Sequence, residues 1–159
     1  MRQRFTWKKA EKLKSRKRID RVFKEGKNFS LFPYRVYFLL QADPAATHPA
    51  AALPTASASA TLAPPTPPPA AASRTPFAPL QAGFGAGSRH FKKAVDRNRI
   101  KRLGREAYRL QKGPLLLRLK EKGLCMAVFF IYTGKELPDY KTVTEKIGVA
   151  LQKLIKEIA

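Results

Sequence analysis

The residues best suited to chemistry in this chain are the cations of AVDRNRIKRLGREAYR (residues 94–109), a segment with five arginines and one lysine. A guanidinium group is planar and donates two parallel hydrogen bonds, a geometry that matches the oxygens of a phosphate. Asn98 stands between Arg97 and Arg99 and adds a neutral donor and acceptor, which suits a base edge or a ribose hydroxyl. These residue types predict that the segment binds a polyanion.

Groups that could cleave a substrate are sparse. The acidic residues form no Asp-x-Asp or comparable pair of the kind that holds Mg²⁺ in protein nucleases. His48 lies in a Pro/Ala-rich stretch, and His90 lies beside Arg89, where a polar contact is a more ordinary role than catalysis. The sequence also offers no Ser/His/Asp or Cys/His set. We therefore expect no catalytic residue and no metal site in this chain.

The charge of the whole chain supports binding to a polyanion. Its 32 Lys and Arg outnumber 11 Asp and Glu, which gives a formal net charge of +21. A run of charge on a helix is usually a solvated face, but most of this excess falls in two blocks, residues 2–27 and 88–112. Concentrated like charge opposes folding unless a polyanion neutralises it. Nucleic acid is the commonest such partner, and an anionic membrane surface is the weaker alternative.

Several features favour a cytoplasmic location without a membrane. No apolar run approaches the roughly 18 residues that a membrane-spanning helix needs. The basic N-terminal residues lack the apolar core and the cleavage site of a secretory signal. Cys125 is the only cysteine, so no internal disulfide can form.

The elements that must position these residues follow from periodicity and capping. The run at 124–132, LCMAVFFIY, is apolar throughout and is expected at the centre of a sheet. We predict an α+β fold in which helices pack against a small, mostly antiparallel sheet. The predicted elements are a helix from a Ser15 cap to Glu25, strands at 34–40 and 80–87, the basic helix ending before Gly113-Pro114, a short helix from Leu115, the strand at 124–132, and a last helix starting with the capping box Thr142-x-x-Glu145.

Residues 42–81 differ in composition from the rest of the chain. They contain 14 alanines, 10 prolines and only two charged residues. Proline lacks a backbone donor and fixes φ, so it excludes regular helix and sheet pairing. We predict a disordered insert at 42–81 between two ordered regions, 1–41 and 82–159.

Helical and strand periodicity predict which residues are buried. On the basic helix, an apolar stripe of Ile100, Leu103, Ala107 and Leu110 faces the core, opposite Asn98, Arg102, Arg105 and Arg109. Phe23 and Phe38 are expected in the core. Tyr34 and Tyr37 are expected on an exposed sheet face, where aromatic rings can stack on unpaired bases.

At residues 91–109, FKKAVDRNRIKRLGREAYR, the sequence resembles the signature of the protein subunit of bacterial ribonuclease P, built on Arg-Asn-Arg-x-Lys-Arg-x-x-Arg-Glu. LKSRKRIDRVFKEG (13–26) is similar to the family's first helix, and the apolar strand ends in YTGKE (132–136) as expected. The resemblance covers both regions that are expected to be ordered.

The resemblance implies a single α/β-sandwich domain over residues 1–159, with a left-handed βαβ crossover. It implies a subunit of an endoribonuclease whose catalytic RNA removes the 5′ leader from precursor tRNA. The partners would be that RNA and precursor tRNA, with no obligate protein partner, and Mg²⁺ would be bound mainly by the RNA and the substrate. A non-catalytic RNA-binding protein of ribosomal type remains the alternative.

Functional residues follow from the same resemblance. The RNA-contact set would be Arg97, Asn98, Arg99, Lys101, Arg102 and Arg105, with Arg89, Lys92 and Lys93 beside it. Ile19, Phe23 and Tyr37 would line a cleft for the single-stranded leader. The chain departs from the family in five places. The departures are Ile19 where phenylalanine is frequent, GFGAGSRHF (83–91) where a Val/Ser/Lys-rich strand is usual, Ser88 near which a lysine is expected and Arg89 is the nearest cation, Gly104 inside the basic helix, and the length of the insert at 42–81.

Overall fold

A computed structural model describes residues 6–42 and 78–159 of the chain. Residues 43–77 of the predicted insert lie outside the described residues. Its predicted range was too wide, because Ala42 belongs to one strand and Leu80 and Gln81 belong to another. The described part contains four α-helices, four β-strands and a 3₁₀ turn at Lys9–Glu11. In chain order the elements are α1 (Arg16–Glu25), β1 (Lys27–Leu31), β2 (Tyr34–Ala42), β3 (Leu80–Ala86), α2 (Ala94–Gln111), α3 (Gly113–Glu121), β4 (Leu124–Tyr132) and α4 (Tyr140–Ile158).

The four strands form one sheet in the order β1-β2-β4-β3. The pairs β1–β2 and β2–β4 are antiparallel, and β3–β4 is parallel, so the sheet is mostly antiparallel as predicted. The position of β4 between β2 and β3 confirms that the continuous apolar strand is central. The connection from β3 through α2 and α3 to β4 is the expected βαβ unit; its left-handed sense stays a prediction from the resemblance.

One face of the sheet forms the core with α2, α3 and α4. Because side chains alternate along a strand, every second residue of β2, β3 and β4 points into this layer. The strand residues buried there are Tyr34, Val36 and Phe38 of β2, Leu80 and Ala82 of β3, and Met126, Val128, Phe130 and Tyr132 of β4. The opposite face is covered in part by α1, which contacts β2 and β4. The fold is therefore an α+β sandwich.

Two elements differ from the predictions. Strand β1 was not predicted, because KNFSL is short and lies at the sheet edge, where only two of its five residues are half-buried. Helix α4 begins at Tyr140 with Asp139 as its N-cap residue, so the capping box at Thr142 was wrong. The Thr144 hydroxyl instead donates to the carbonyl oxygen of Tyr140 at 2.8 Å, inside the first turn.

Candidate nucleic-acid interface

Helix α2 is buried along one side only. The buried residues share helical spacing and are Ile100, Gly104, Ala107 and Tyr108. The predicted stripe is thus confirmed at two positions, but Leu110 is 39% exposed. The buried side of the helix includes Tyr108 in place of Leu110. The ring of Tyr108 packs against Phe84 and Phe130, at centroid distances of 5.8 and 6.1 Å. The rest of the circumference is left to polar and charged side chains.

Most of the predicted RNA-contact residues lie on that free circumference. The exposed members are Asn98, Arg99, Arg102 and Arg105 on the helix, with Arg89, Lys92 and Lys93 just before it. Lys101 is half-buried. Arg99, Arg102 and Arg105 form no ion pair with a carboxylate of the described residues. Their guanidinium groups are therefore available to the phosphates of a ligand.

Arg97 and Arg109 of α2 donate side-chain hydrogen bonds to other groups of the described part of the protein. The Nη1 of Arg97 donates to the carbonyl oxygens of Phe91 and Lys92, at 2.8 and 2.7 Å, and so holds the segment that leads into the helix. The Nε of Arg109 donates to a carboxylate oxygen of Glu106 at 3.0 Å. That hydrogen bond lowers the pKa of Glu106 and raises the pKa of Arg109. Part of the predicted cationic face is therefore structural.

An N-terminal arm (residues 6–14) runs between α2 and the open face of the sheet. Lys112, only 8% exposed, pairs with Glu11, and its Nζ also donates to the carbonyl oxygen of Thr6 at 2.8 Å. In the sequence, Trp7 lies between Thr6 and Glu11, the two residues that Lys112 holds. The rings of Trp7 and Phe84 pack edge to face. Sequence reasoning missed Trp7, although a lone tryptophan in a basic segment could have drawn attention to it.

The predicted cleft residues come together where α1 crosses the open face of the sheet. The rings of Phe23 and Tyr37 are 4.7 Å apart, edge to face. Phe129 of β4 joins them, with its ring 5.3 Å from that of Phe23. Ile19 and Phe129 also line a cavity of about 600 Å³ between the N-terminal arm, α1 and β3, here called the arm–sheet cavity. The structure thus adds a ring that the sequence did not indicate.

The unusual glycine-rich strand β3 explains the position of Phe129. A Cβ atom at Gly83 would lie 2.5 Å from the Phe129 ring, and one at Gly85 would lie 3.0 Å from it. Side chains at these positions would push the ring away from β3. The glycines of β3, where this strand departs from the family's usual pattern, leave space beside the strand, and the Phe129 ring fills it.

The aromatic predictions were partly wrong. Tyr34 and Tyr37 are three residues apart on β2, so they point to opposite faces, and Tyr34 is only 2% exposed. Phe23 was expected in the core, but it is 38% exposed on the open face. Phe38 is buried as predicted. Side chains alternate between the two faces of a strand, so two residues that are three positions apart lie on opposite faces.

Within the described ranges, no group of three or more His, Cys, Asp or Glu side chains is placed to hold a metal ion. The acidic residues that are close to a cation there are used in ion pairs, such as Glu11 with Lys112. Among the helices of the same ranges, none combines the length and the apolar character required to span a bilayer.

A family model for ribonuclease P matches residues 7–155, nearly the whole chain. The chain belongs to the ribonuclease P protein family. It is 32% identical to the ribonuclease P protein component of Porphyromonas gingivalis strain ATCC 33277 over 151 residues, which cover 95% of this chain and 85% of the relative. The protein of strain W83 is 31% identical over the same coverage.

Solved structures agree with this family at the level of the fold. The Staphylococcus aureus RNase P protein matches with a TM-score of 0.56 at 15% identity, covering 95% of this chain and 100% of that one. A mutant of the S. aureus protein, described as defective in mRNA degradation activity, matches with a TM-score of 0.55 at 16% identity, covering 93% and 90%. These matches confirm the predicted sandwich.

Membership in the ribonuclease P family confirms the role implied by the resemblance. The chain is a ribonuclease P protein component, a subunit of the endoribonuclease that acts in tRNA processing. This role implies association with the RNA subunit. The family assignment favours the ribonuclease P role over that of a ribosomal-type RNA-binding protein.

Proposed function

We propose that this ribonuclease P protein docks on the catalytic RNA through the exposed cations of α2 and holds the 5′ leader of precursor tRNA against the open face of the sheet. The observation that carries the proposal is the pairing of two different surfaces on one small domain. One is the cationic side of α2, with Arg99, Arg102 and Arg105 unpaired by described carboxylates. The other is the ring cluster of Phe23, Tyr37 and Phe129.

The two surfaces suit two kinds of RNA. Guanidinium groups on a convex helix match the phosphates of folded RNA, which carries a high density of negative charge. Accessible rings on a sheet suit single-stranded RNA, because unpaired bases stack on aromatic faces without a requirement for sequence. Precursor tRNA has a single-stranded leader and mature tRNA does not, so the ring cluster favours substrate over product.

Chemistry on the scissile bond belongs to the RNA in this proposal, with Mg²⁺ held mainly by the RNA and the substrate. Bound there, Mg²⁺ would supply the chemistry of water activation and of charge stabilisation on the phosphate, and no residue of this chain would hold it. The protein's cations neutralise nearby phosphates, which lowers the metal concentration that the RNA needs to fold. A cytoplasmic location, without a membrane or an obligate protein partner, belongs to the same proposal.

Reconstitution tests this function. The full chain is mixed with a bacterial ribonuclease P RNA and precursor tRNA at limiting Mg²⁺, and 5′ cleavage is compared with that of the RNA alone. We expect faster cleavage, and tighter binding of precursor tRNA than of mature tRNA when the protein is present. Equal affinities of the holoenzyme for precursor and mature tRNA would contradict the cleft assignment.

Salt dependence and one substitution test the docking surface. Because each phosphate contact releases counterions, affinity for the RNA should fall steeply with salt. Arg99→Ala should lower affinity for the RNA subunit without changing the thermal midpoint, since Arg99 is exposed. Lys156→Gln on the exposed part of α4 is a control that removes one charge elsewhere. An equal loss in both variants would indicate only non-specific attraction.

A further inference from the structure

The side chain of Trp7 lines two neighbouring cavities and separates them. On one side is the arm–sheet cavity, which it lines together with Ile19 and Phe129. On the other side is a cavity of about 390 Å³ between the N-terminal arm and the outer side of α2, here called the arm–helix cavity. Arg105 also lines both cavities, and its guanidinium carbon lies 5.9 Å from the centre of the Trp7 ring. The indole thus stands between the proposed leader cleft and the proposed RNA-docking helix.

The contacts around Trp7 hold it in place. Its Nε1 donates to the carbonyl oxygen of Glu11 at 3.3 Å. Glu11 is itself bound by Lys112, which also holds the carbonyl oxygen of Thr6, the residue before Trp7. An aromatic ring fixed in this way gives up little further conformational entropy when a ligand stacks on it. The arrangement is that of a preformed platform.

The arm–helix cavity combines aromatic and cationic groups. Trp7 and Tyr140 contribute rings, and Arg102, Arg105 and Arg109 contribute guanidinium groups. Glu106 is the acidic member, and its carboxylate is bound by Arg109. Arg102 and Arg105 form no ion pair with the carboxylates that the structure describes. A net cationic cavity with a ring on its wall suits a ligand that is both planar and anionic.

We propose that the arm–helix cavity binds one unpaired nucleotide of RNA, with its base stacked on Trp7 and its phosphate held by Arg102 and Arg105. The volume lies at the lower end of the roughly 300–1,000 Å³ usual for ligand pockets, which fits one nucleotide and not a longer segment. This inference rests on the proposed RNA-binding function but uses residues outside the leader cleft. It makes Trp7 a binding residue in its own right.

The chain has only one tryptophan, so its fluorescence reports on ligands that reach either of the two cavities that Trp7 lines. The full-length protein is titrated with an oligouridylate of about ten nucleotides, a length within the usual site sizes of single-strand binders. The control titration uses inorganic polyphosphate, which supplies charge without bases. We expect the oligouridylate to quench Trp7 emission and polyphosphate to leave it nearly unchanged. Equal quenching by the two polymers, or none by either, overturns the proposal.

Two variants with the same change in charge assign the quenching to one cavity. Of these two cavities, Arg102 lines the arm–helix cavity and Lys14 lines the arm–sheet cavity. Arg102→Gln should therefore weaken the oligouridylate affinity measured by quenching more than Lys14→Gln does. The opposite order would place the base in the arm–sheet cavity and overturn the assignment.

Substitution of the ring itself tests stacking. Trp7→Leu should weaken oligouridylate binding about five-fold or more, measured with labelled RNA, because base–aromatic stacking contributes on the order of 1 kcal/mol or more. Trp7→Phe keeps an aromatic face and should lose less, while thermal melts of both variants check the fold. Equal affinities of both variants and the parent protein would make Trp7 a packing residue only and overturn the proposal.

These results are separable from the test of the proposed function. If the protein stimulates leader-dependent cleavage but Trp7 emission does not respond to RNA, the nucleotide site fails and the function stands. If Trp7 responds as expected but cleavage is not stimulated, the function fails and the nucleotide site stands.

Discussion

Gly104 shows how a single residue can reverse an expectation from propensity. In an exposed helix, glycine is less favourable than alanine by about 1 kcal/mol, so Gly104 looks like a weakness of α2. In the structure it is buried, and a Cβ atom there would lie 2.8 Å from Cδ1 of Phe84. Phe84 cannot easily yield, because it stacks on Phe130 at 5.0 Å with nearly parallel planes. The glycine makes room for the ring.

We therefore expect Gly104→Ala to lower the free energy of unfolding by about 1 kcal/mol, since overpacking outweighs the gain in helix propensity. Urea denaturation measures the change. In a Phe84→Leu background the clash is absent, so the same substitution should be neutral or stabilising. A stabilising effect in the parent protein would show that Phe84 relaxes without penalty.

Tyr108 is a second residue with an unusual environment. Its ring is fully buried, and its hydroxyl has no hydrogen-bond partner among the described residues. Burial, with a smaller contribution from the charge of Glu11, raises the pKa of Tyr108 well above its usual value. A raised pKa of an acidic group means that its stabilising contribution is complete below the unfolded-state pKa, about 10 for tyrosine. That contribution is lost as the pH rises above this value toward the folded-state pKa.

Tyr108→Phe should raise the free energy of unfolding at neutral pH by up to about 1 kcal/mol, because it removes a buried hydroxyl without a described partner. It should also reduce the loss of stability between about pH 9 and pH 11. Denaturation at several pH values measures both effects. Tyr140→Phe is the control, since Tyr140 is exposed at the start of α4. The same alkaline response in both variants would contradict the role of burial.

At the scale of elements, the N-terminal arm depends on one buried ion pair. Lys112 and Glu11 join the arm to the junction of α2 and α3, with side chains 9% and 16% exposed. A buried cation whose partner is removed is strongly unfavourable, because its desolvation is no longer offset. The position of Trp7 between these contacts makes the pair important for the surface as well as for stability.

Glu11→Gln should lower the free energy of unfolding by about 2 kcal/mol, since Lys112 would keep only neutral partners. It should also increase the mobility of Trp7, measured as a fall in fluorescence anisotropy. Glu25→Gln makes the same chemical change in the exposed Arg21–Glu25 pair, and it should alter stability by at most about 0.5 kcal/mol. Similar effects of the two substitutions would contradict the role of the buried pair.

At the scale of the whole molecule, the sheet brings Ala42, at the end of the first described range, near Leu80, close to the start of the second. Ala42 at the end of β2 pairs with Leu124, and Leu80 at the start of β3 pairs with Met126, on opposite sides of β4. From strand spacing and rise, the gap from Ala42 to Leu80 is about 12 Å. A few residues can span this gap, so the fold does not need a long connection there.

Replacing residues 43–77 with a Gly/Ser linker of about six residues should keep the fold, because such a linker easily reaches that distance. We expect cooperative thermal unfolding with a midpoint within a few degrees of the parent's. The variant should also still stimulate the cleavage of precursor tRNA by the RNA subunit. A folded variant that no longer stimulates cleavage would show that residues 43–77 have a function of their own.

The sequence by itself determined the types of all the elements except β1 and the short 3₁₀ turn, the central position of β4, the cationic character of α2 and the family. Periodicity, composition and a long specific motif are local properties, and they are written in consecutive residues. Thr142 and Leu110 mark the limit of this reasoning, because helix starts and the edges of a buried stripe depend on what packs against the helix.

Only the tertiary structure decided which side chains meet. The ring of Phe129 reaches Phe23 because Gly83 and Gly85 leave space on a neighbouring strand. Trp7 stands between two cavities because Lys112, far along the chain, holds Glu11 and Thr6. These contacts join residues that are distant in sequence, and their geometry is set by packing across the sheet. No local pattern encodes such a meeting, so the cleft and the arm–helix cavity could be located only once the chain was folded.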